Sequence, residues 1–113
     1  MAERILPKPD WQFYCDRISK GLTGKRANIE VTGLRIGDQI QGESLPLFGI
    51  TYDPKDDLVE IAMEGLDHLI DKPRAISVDE GPDGLTGMEI VDSDGQRQIV
   101  KLIDPLMLPA PQR

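Results

Sequence analysis

One histidine, one cysteine and twenty carboxylates make up most of the reactive chemistry in this 113-residue chain. His68 sits in "EGLDHLIDKP" with Asp67 and Asp71 close by. An imidazole titrates near neutrality, so a carboxylate that oriented it would create a general base. A ligand-binding or weakly enzymatic site at His68, with Asp67 or Asp71 as orienter, is therefore one reading. The other treats the segment as a bend before Pro73, in which His68 hydrogen-bonds a loop carbonyl. This second reading is preferred, because adjacency along the chain guarantees no geometry and no nucleophile stands nearby. No residue is assigned a catalytic role.

Cys15 is alone, which rules out an intramolecular disulfide and a zinc site built from cysteines. It lies on the apolar stripe of a helix, where a free thiol behaves as a small hydrophobe. The carboxylates cluster at Asp53, Asp56 and Asp57, at Asp79, Glu80 and Asp83, and at Asp92 and Asp94. "DSDG" has the start of a calcium loop but lacks its later ligands, so these clusters read as solvated turns. No metal is assigned and no cofactor is implied, since phosphate loops, G-x-S-x-G, H-E-x-x-H and paired C-x-x-C are all missing.

The formal net charge of −7 is unevenly spread, at +2 over residues 1–30 and −9 over residues 31–113. An acidic body repels phosphate backbones, which disfavours nucleic acid as a partner. Lys20, Lys25 and Arg26 form a local basic strip, read as a helix end whose cations complement the helix dipole. RNA binding through that strip is the least favoured function.

These residues must be held by a small set of elements. In "PDWQFYCDRISKGLTG", Trp11, Tyr14, Cys15, Ile18 and Leu22 fall on one helical face. Asp10 is the expected N-cap, and Gly21 or Gly24 the expected stop. After Gly24 the chain reads as β. Alternating segments occur in "RANIEVTG", "DQIQGESLPLFGITYD", "LVEIAM", "RAISVD", "GMEIVD" and "RQIVKLI", with turn signals between them. Gly42 and Gly49 mark bends or bulges in the second of these.

The expected fold is thus α+β: an N-terminal helix packed on a curled antiparallel sheet of about six strands, a small barrel with the layout of SH3-like and Sm-like domains. Residues 1–104 form the single globular domain and residues 105–113 a proline-rich tail. No apolar run approaches the ~20 residues of a membrane span, and "MAERILPKPDW" lacks a signal core, so the expected address is cytoplasmic.

Four segments in order, "LPKPDWQFY", "PLFGITYD", "DHLIDKP" and "MEIVDSDG", resemble the pattern of a small bacterial family of unknown function (domain of unknown function 5335). The resemblance runs from Leu6 to about Leu102. It departs at His68-Leu69-Ile70 and leaves out the tail. It implies a shared scaffold and no activity, cofactor or catalytic residue.

The favoured function is a non-enzymatic module that self-associates, as a dimer or ring, or binds another protein. Leu45, Leu47 and Phe48 in "LPLF", with Leu106, Met107 and Leu108 of the tail, are the expected interface.

Overall fold

A computed structural model describes residues 2–33, 37–82 and 84–106, with backbone alone for Ala2 and residues 37–42. Strand β1 (Ala2–Leu6) leads through a 3₁₀ turn (Lys8–Asp10) into helix α1 (Trp11–Leu22). Seven strands follow: β2 (Arg26–Gly33), β3 (Gly37–Asp53), β4 (Leu58–Met63), β5 (Leu66–Asp71), β6 (Ala75–Gly81), β7 (Gly84–Val91) and β8 (Arg97–Leu106).

The hydrogen-bonded order is β1-β6-β7-β8-β2-β3-β4-β5, with every neighbouring pair antiparallel. This corrects the expected architecture. The chain is a mostly-β protein with an open eight-stranded sheet and one short helix, not a six-stranded α+β small barrel. The six expected strands are all present, and the two unexpected ones, β1 and β5, are the two edges. They do not pair with each other, so the sheet does not close.

The bend in the sheet comes from β3, which pairs with β2 as far as Pro46 and with β4 from Leu47 onward. That switch carries β4 and β5 across the core from β7 and β8. Inward residues follow the two-residue period of strands. Ala27, Ile29 and Val31 bury on β2, Val59, Ile61 and Met63 on β4, and Ile76 and Val78 on β6. Two irregularities reset that period. A register shift between Leu47 and Gly49 turns both Leu47 and Ile50 inward, and one between Leu85 and Gly87 does the same for Leu85 and Met88. An extra residue in one strand of a pair flips the faces of all residues beyond it. At Gly87 a side chain would press on the Val100 carbonyl at 3.0 Å, so only glycine fits there comfortably.

Helix α1 covers the side of β3 that has no strand beyond Leu47. Trp11, Tyr14, Cys15, Ile18 and Leu22 are all buried, as the helical stripe requires. The Ser19 hydroxyl donates to the Ile50 carbonyl and accepts from the Ile50 N–H at 2.9 Å, standing in for a neighbouring strand. Asp10 precedes the helix but makes no side-chain cap, because the 3₁₀ turn feeds straight into the first helical turn. Gly24, at φ +87°, is the turn glycine beyond the helix. Gly21 lies inside the helix instead, where a β-carbon would come within 2.7 Å of Leu106. β8 reaches that contact after a bulge at residues 103–105, and Leu106 rejoins β7 opposite Leu85. Pro105, which cannot donate a ladder hydrogen bond, falls in the bulge.

Candidate functional site

Because β5 is a strand, the surroundings of His68 differ from those of a bend. Leu66, His68 and Ile70 face inward on β5, whereas Asp67, Leu69 and Asp71 face outward and are exposed. The two aspartates therefore lie on the opposite face from the imidazole, and neither can orient it. Nor does His68 reach a loop carbonyl. Its Nε2 lies 2.7 Å from Oε1 of Gln98, on β8 across the core.

Gln98 in turn donates from Nε2 to Oδ2 of Asp92 at 2.8 Å. The other Asp92 oxygen, Oδ1, accepts the backbone N–H groups of Asp94 and Gln96, each at 2.9 Å. With the amide N–H committed to Asp92, the Gln98 carbonyl must face His68, so His68 Nε2 is the donor. Asp92 and Gln98 are the buried polar residues among those described, and each has its partners. The "DSDG" carboxylate at Asp92 thus organises the β7–β8 hairpin and anchors a chain of bonds ending on β5. That chain holds strand to strand. It brings no nucleophile or acid to the imidazole.

The outward side of β4 and β5 has a different character. Asp67 and Asp71 flank Leu69, which is 54% exposed, and Leu69 stands directly opposite Glu60 of β4. The Glu60 carboxyl is held above the ordinary carboxylate range, first by its hydrogen bond with Asp67 and then by repulsion from the same group. The hairpin that presents this face turns at Gly65, at φ +78°, where glycine enters the left-handed region without strain. At its far end the Lys72 N–H donates to the Asp57 carbonyl at 2.7 Å. As an element β5 packs principally against β4. Every second residue of β5 therefore aims its N–H and C=O away from the sheet.

Three of the remaining carboxylates of these clusters have structural uses. Tyr52 donates to Asp57 at 2.6 Å, and Lys8 pairs with Asp57 at 3.5 Å. The Tyr52 hydroxyl holds the Asp57 carboxyl below its usual range. Glu80 accepts from Arg4 at 3.0 Å and from Tyr14 at 2.7 Å. Asp53 caps the turn by accepting the Lys55 N–H at 2.9 Å, and Asp83 lies outside the described residues. Burial pushes the Cys15 thiol up to about 12, so it stays protonated and packs as a hydrophobe. Among the described residues no group of His, Cys, Asp and Glu is arranged to hold a metal ion.

The expected apolar interface divides. Leu47 is fully buried, Leu45 packs on the core, and Leu106 is buried against Gly21. Phe48 alone is exposed, while Met107 and Leu108 lie outside the described residues. Lys20 and Arg26 are exposed around the turn from α1 into β2, with Lys25 partly covered between them. An outer groove of about 290 Å³ runs over β6, β7 and β8, floored by Gly87 and edged by Glu3, Asp79, Thr86 and Lys101. No helix among the described residues is long and apolar enough to cross a membrane.

Sequence reasoning missed Gln98 and Glu60. Gln98 was detectable, because in "RQIVKLI" it shares a face with Val100 and Leu102, and a polar residue on a core face needs a partner. Glu60 gave no signal, since its neighbour Asp67 is fixed only by the unrecognised strand.

Comparison with known proteins yields a scaffold and no activity. The model that matches residues 2–111 is described as a family of unknown function (DUF5335). An uncharacterized protein of Aquifex aeolicus (strain VF5) is 42% identical over 110 residues, covering 96% of this chain and 99% of that protein. No solved structure matches the chain.

Proposed function

We propose, for a chain that belongs to the DUF5335 family of unknown function, a non-enzymatic protein-interaction role in which a partner strand adds to the free edge of β5. The observation that supports this most is the edge itself: among the described residues β5 pairs with a strand on one side only, and it carries exposed Leu69 at its middle. A free edge is a template for strand addition, in which backbone bonds supply affinity and alternate side chains supply specificity. The template is also rigid. Gly65, the Lys72–Asp57 bond and the His68–Gln98 bond fix β5 at both ends and at its centre, which lowers the ordering cost of docking.

The other edge is less suited. On β1 the exposed Ile5 lies one residue from the strand's end, and Pro7 then turns the chain toward α1. Self-pairing through β5 is also disfavoured, because Asp67 and Asp71 would bring four like charges to one seam. A second, different chain is therefore favoured over a homo-oligomer. Strand addition is tested by titrating a short uncharged peptide of alternating valine and threonine while following backbone amide resonances. Shifts and slowed exchange concentrated in residues 66–71 are expected. Changes confined to β1 or to the outer groove would overturn the proposal.

A further inference from the structure

Resting on the edge reading above, we infer that the partner strand presents a basic, an apolar and a basic side chain at alternate positions, opposite Asp67, Leu69 and Asp71. Residues directly opposite each other on neighbouring strands share a face and interact through their side chains. The outward face of β5 offers two exposed carboxylates spaced about an exposed leucine. Neither Asp67 nor Asp71 has an ion-pair partner among the described residues, where the pairs are Arg4–Glu80, Lys8–Asp57 and Arg97–Glu89. The next strand inward adds Glu60 rather than a cation. A like-charged row leaves this edge with unbalanced charge, and Glu60 already shows the strain by holding its proton more tightly against Asp67.

Charge chooses the occupant. Acidic residues on an edge repel acidic or identical strands, which protects the isolated chain from edge-to-edge aggregation. The same residues attract lysine or arginine at matched spacing, and their long stems can cover Leu69 while the charged heads meet the carboxylates. The pattern is symmetric about Leu69, so a parallel and an antiparallel partner place the same residue types opposite it. A nucleic acid is excluded as occupant by the sign of the charge, and a second copy by the like charges of its own β5.

The test uses three short acetylated peptides built around Lys-Val-Leu-Val-Lys, Thr-Val-Leu-Val-Thr and Glu-Val-Leu-Val-Glu, with affinity measured at low salt and in ~1 M salt. The lysine peptide is expected to bind roughly tenfold more tightly than the threonine peptide at low salt, and the glutamate peptide more weakly than either. High salt should shrink that spread. The double variant Asp67→Asn with Asp71→Asn should lose the lysine preference while keeping its threonine-peptide affinity, and should melt no lower than the parent chain. If all three peptides protect residues 66–71 equally, strand addition stands and the charge code is wrong. If the lysine peptide binds without protecting β5 amides, or equally well with proline in place of its central leucine, both readings fall. A lysine preference that survives in the double variant likewise refutes the charge code.

Discussion

The two edges of this sheet are built on opposite plans. β1 is strapped down from above by α1: Trp11 donates its indole N–H to the Leu6 carbonyl at 2.9 Å, and Arg4 reaches Glu80, which also accepts from Tyr14. Its Arg4 is paired within the chain, whereas Glu3 stands opposite Asp79. β5 is fastened from within the core, through His68 and Gln98, and its outward carboxylates have no ion-pair partner among the described residues. One edge is held by a helix laid over it, the other by a polar chain running through the core.

The strap on β1 should be the more costly to break. Trp11→Ala removes a buried ring that meets Tyr52 edge-on at a centroid distance of 5.2 Å, and the expected loss is about 3–5 kcal/mol. Urea denaturation measures it, and a cost below about 1 kcal/mol would deny that α1 secures this edge. On the other edge, Gln98→Leu strips a partner from both His68 and buried Asp92, with an expected cost of about 1–3 kcal/mol. His68→Ala should cost less, because Asp92 keeps its amide partner. A double-mutant cycle on His68 and Gln98 should show coupling, and strict additivity would mean that the bond across the core contributes nothing.

Acid titration separates two carboxylates by sign. Asp57, in the turn between β3 and β4, has its carboxyl held low, first by the Tyr52 hydroxyl. Its stabilising contribution is present above its unfolded pKa and is lost as pH falls through the lower folded value. Glu60, behind β5, has its carboxyl held high by Asp67. Its contribution is present below its unfolded pKa and is lost as pH rises through the folded value. Urea midpoints between about pH 3 and 7 should therefore lose part of their acid limb in Asp57→Asn and gain at the neutral end in Glu60→Gln. Shifts of the same sign in both variants would remove the distinction. A smaller effect is expected for Gly21→Ala, whose new methyl must push the flexible Leu106 side chain aside. Its melting temperature should fall only modestly, and no change at all would mean that Leu106 does not depend on that contact.

Most of the core was legible in the sequence. The stripe from Trp11 to Leu22 predicts helix α1, with its end left between Gly21 and Gly24, and six alternating segments predict the six inner strands, because burial imposes a period on both. The edges were hidden for the same physical reason. In "LDHLID" the outward face carries Leu69 and the inward face His68, the reverse of the usual alternation, so the segment reads as a bend. β1 is short and stops at Pro7, and nothing in "AERIL" alternates clearly. Sheet closure was misjudged because strand spacing alone cannot distinguish a barrel from an open sheet that bends at β3. Within the site, His68 was found, but its partner Gln98 lies thirty residues away. Sequence neighbours such as Asp67 and Asp71 proved to face the other way.

Amide hydrogen exchange of the isolated chain, repeated with the lysine–valine peptide, puts both edges into one experiment. The outward-facing amides of residues 66–71 should exchange quickly in the free protein and slow markedly with peptide, while those of β1 keep the same rates in both. Slowing at β1 instead, or no slowing at either edge, would contradict the assignment of β5 as the docking edge.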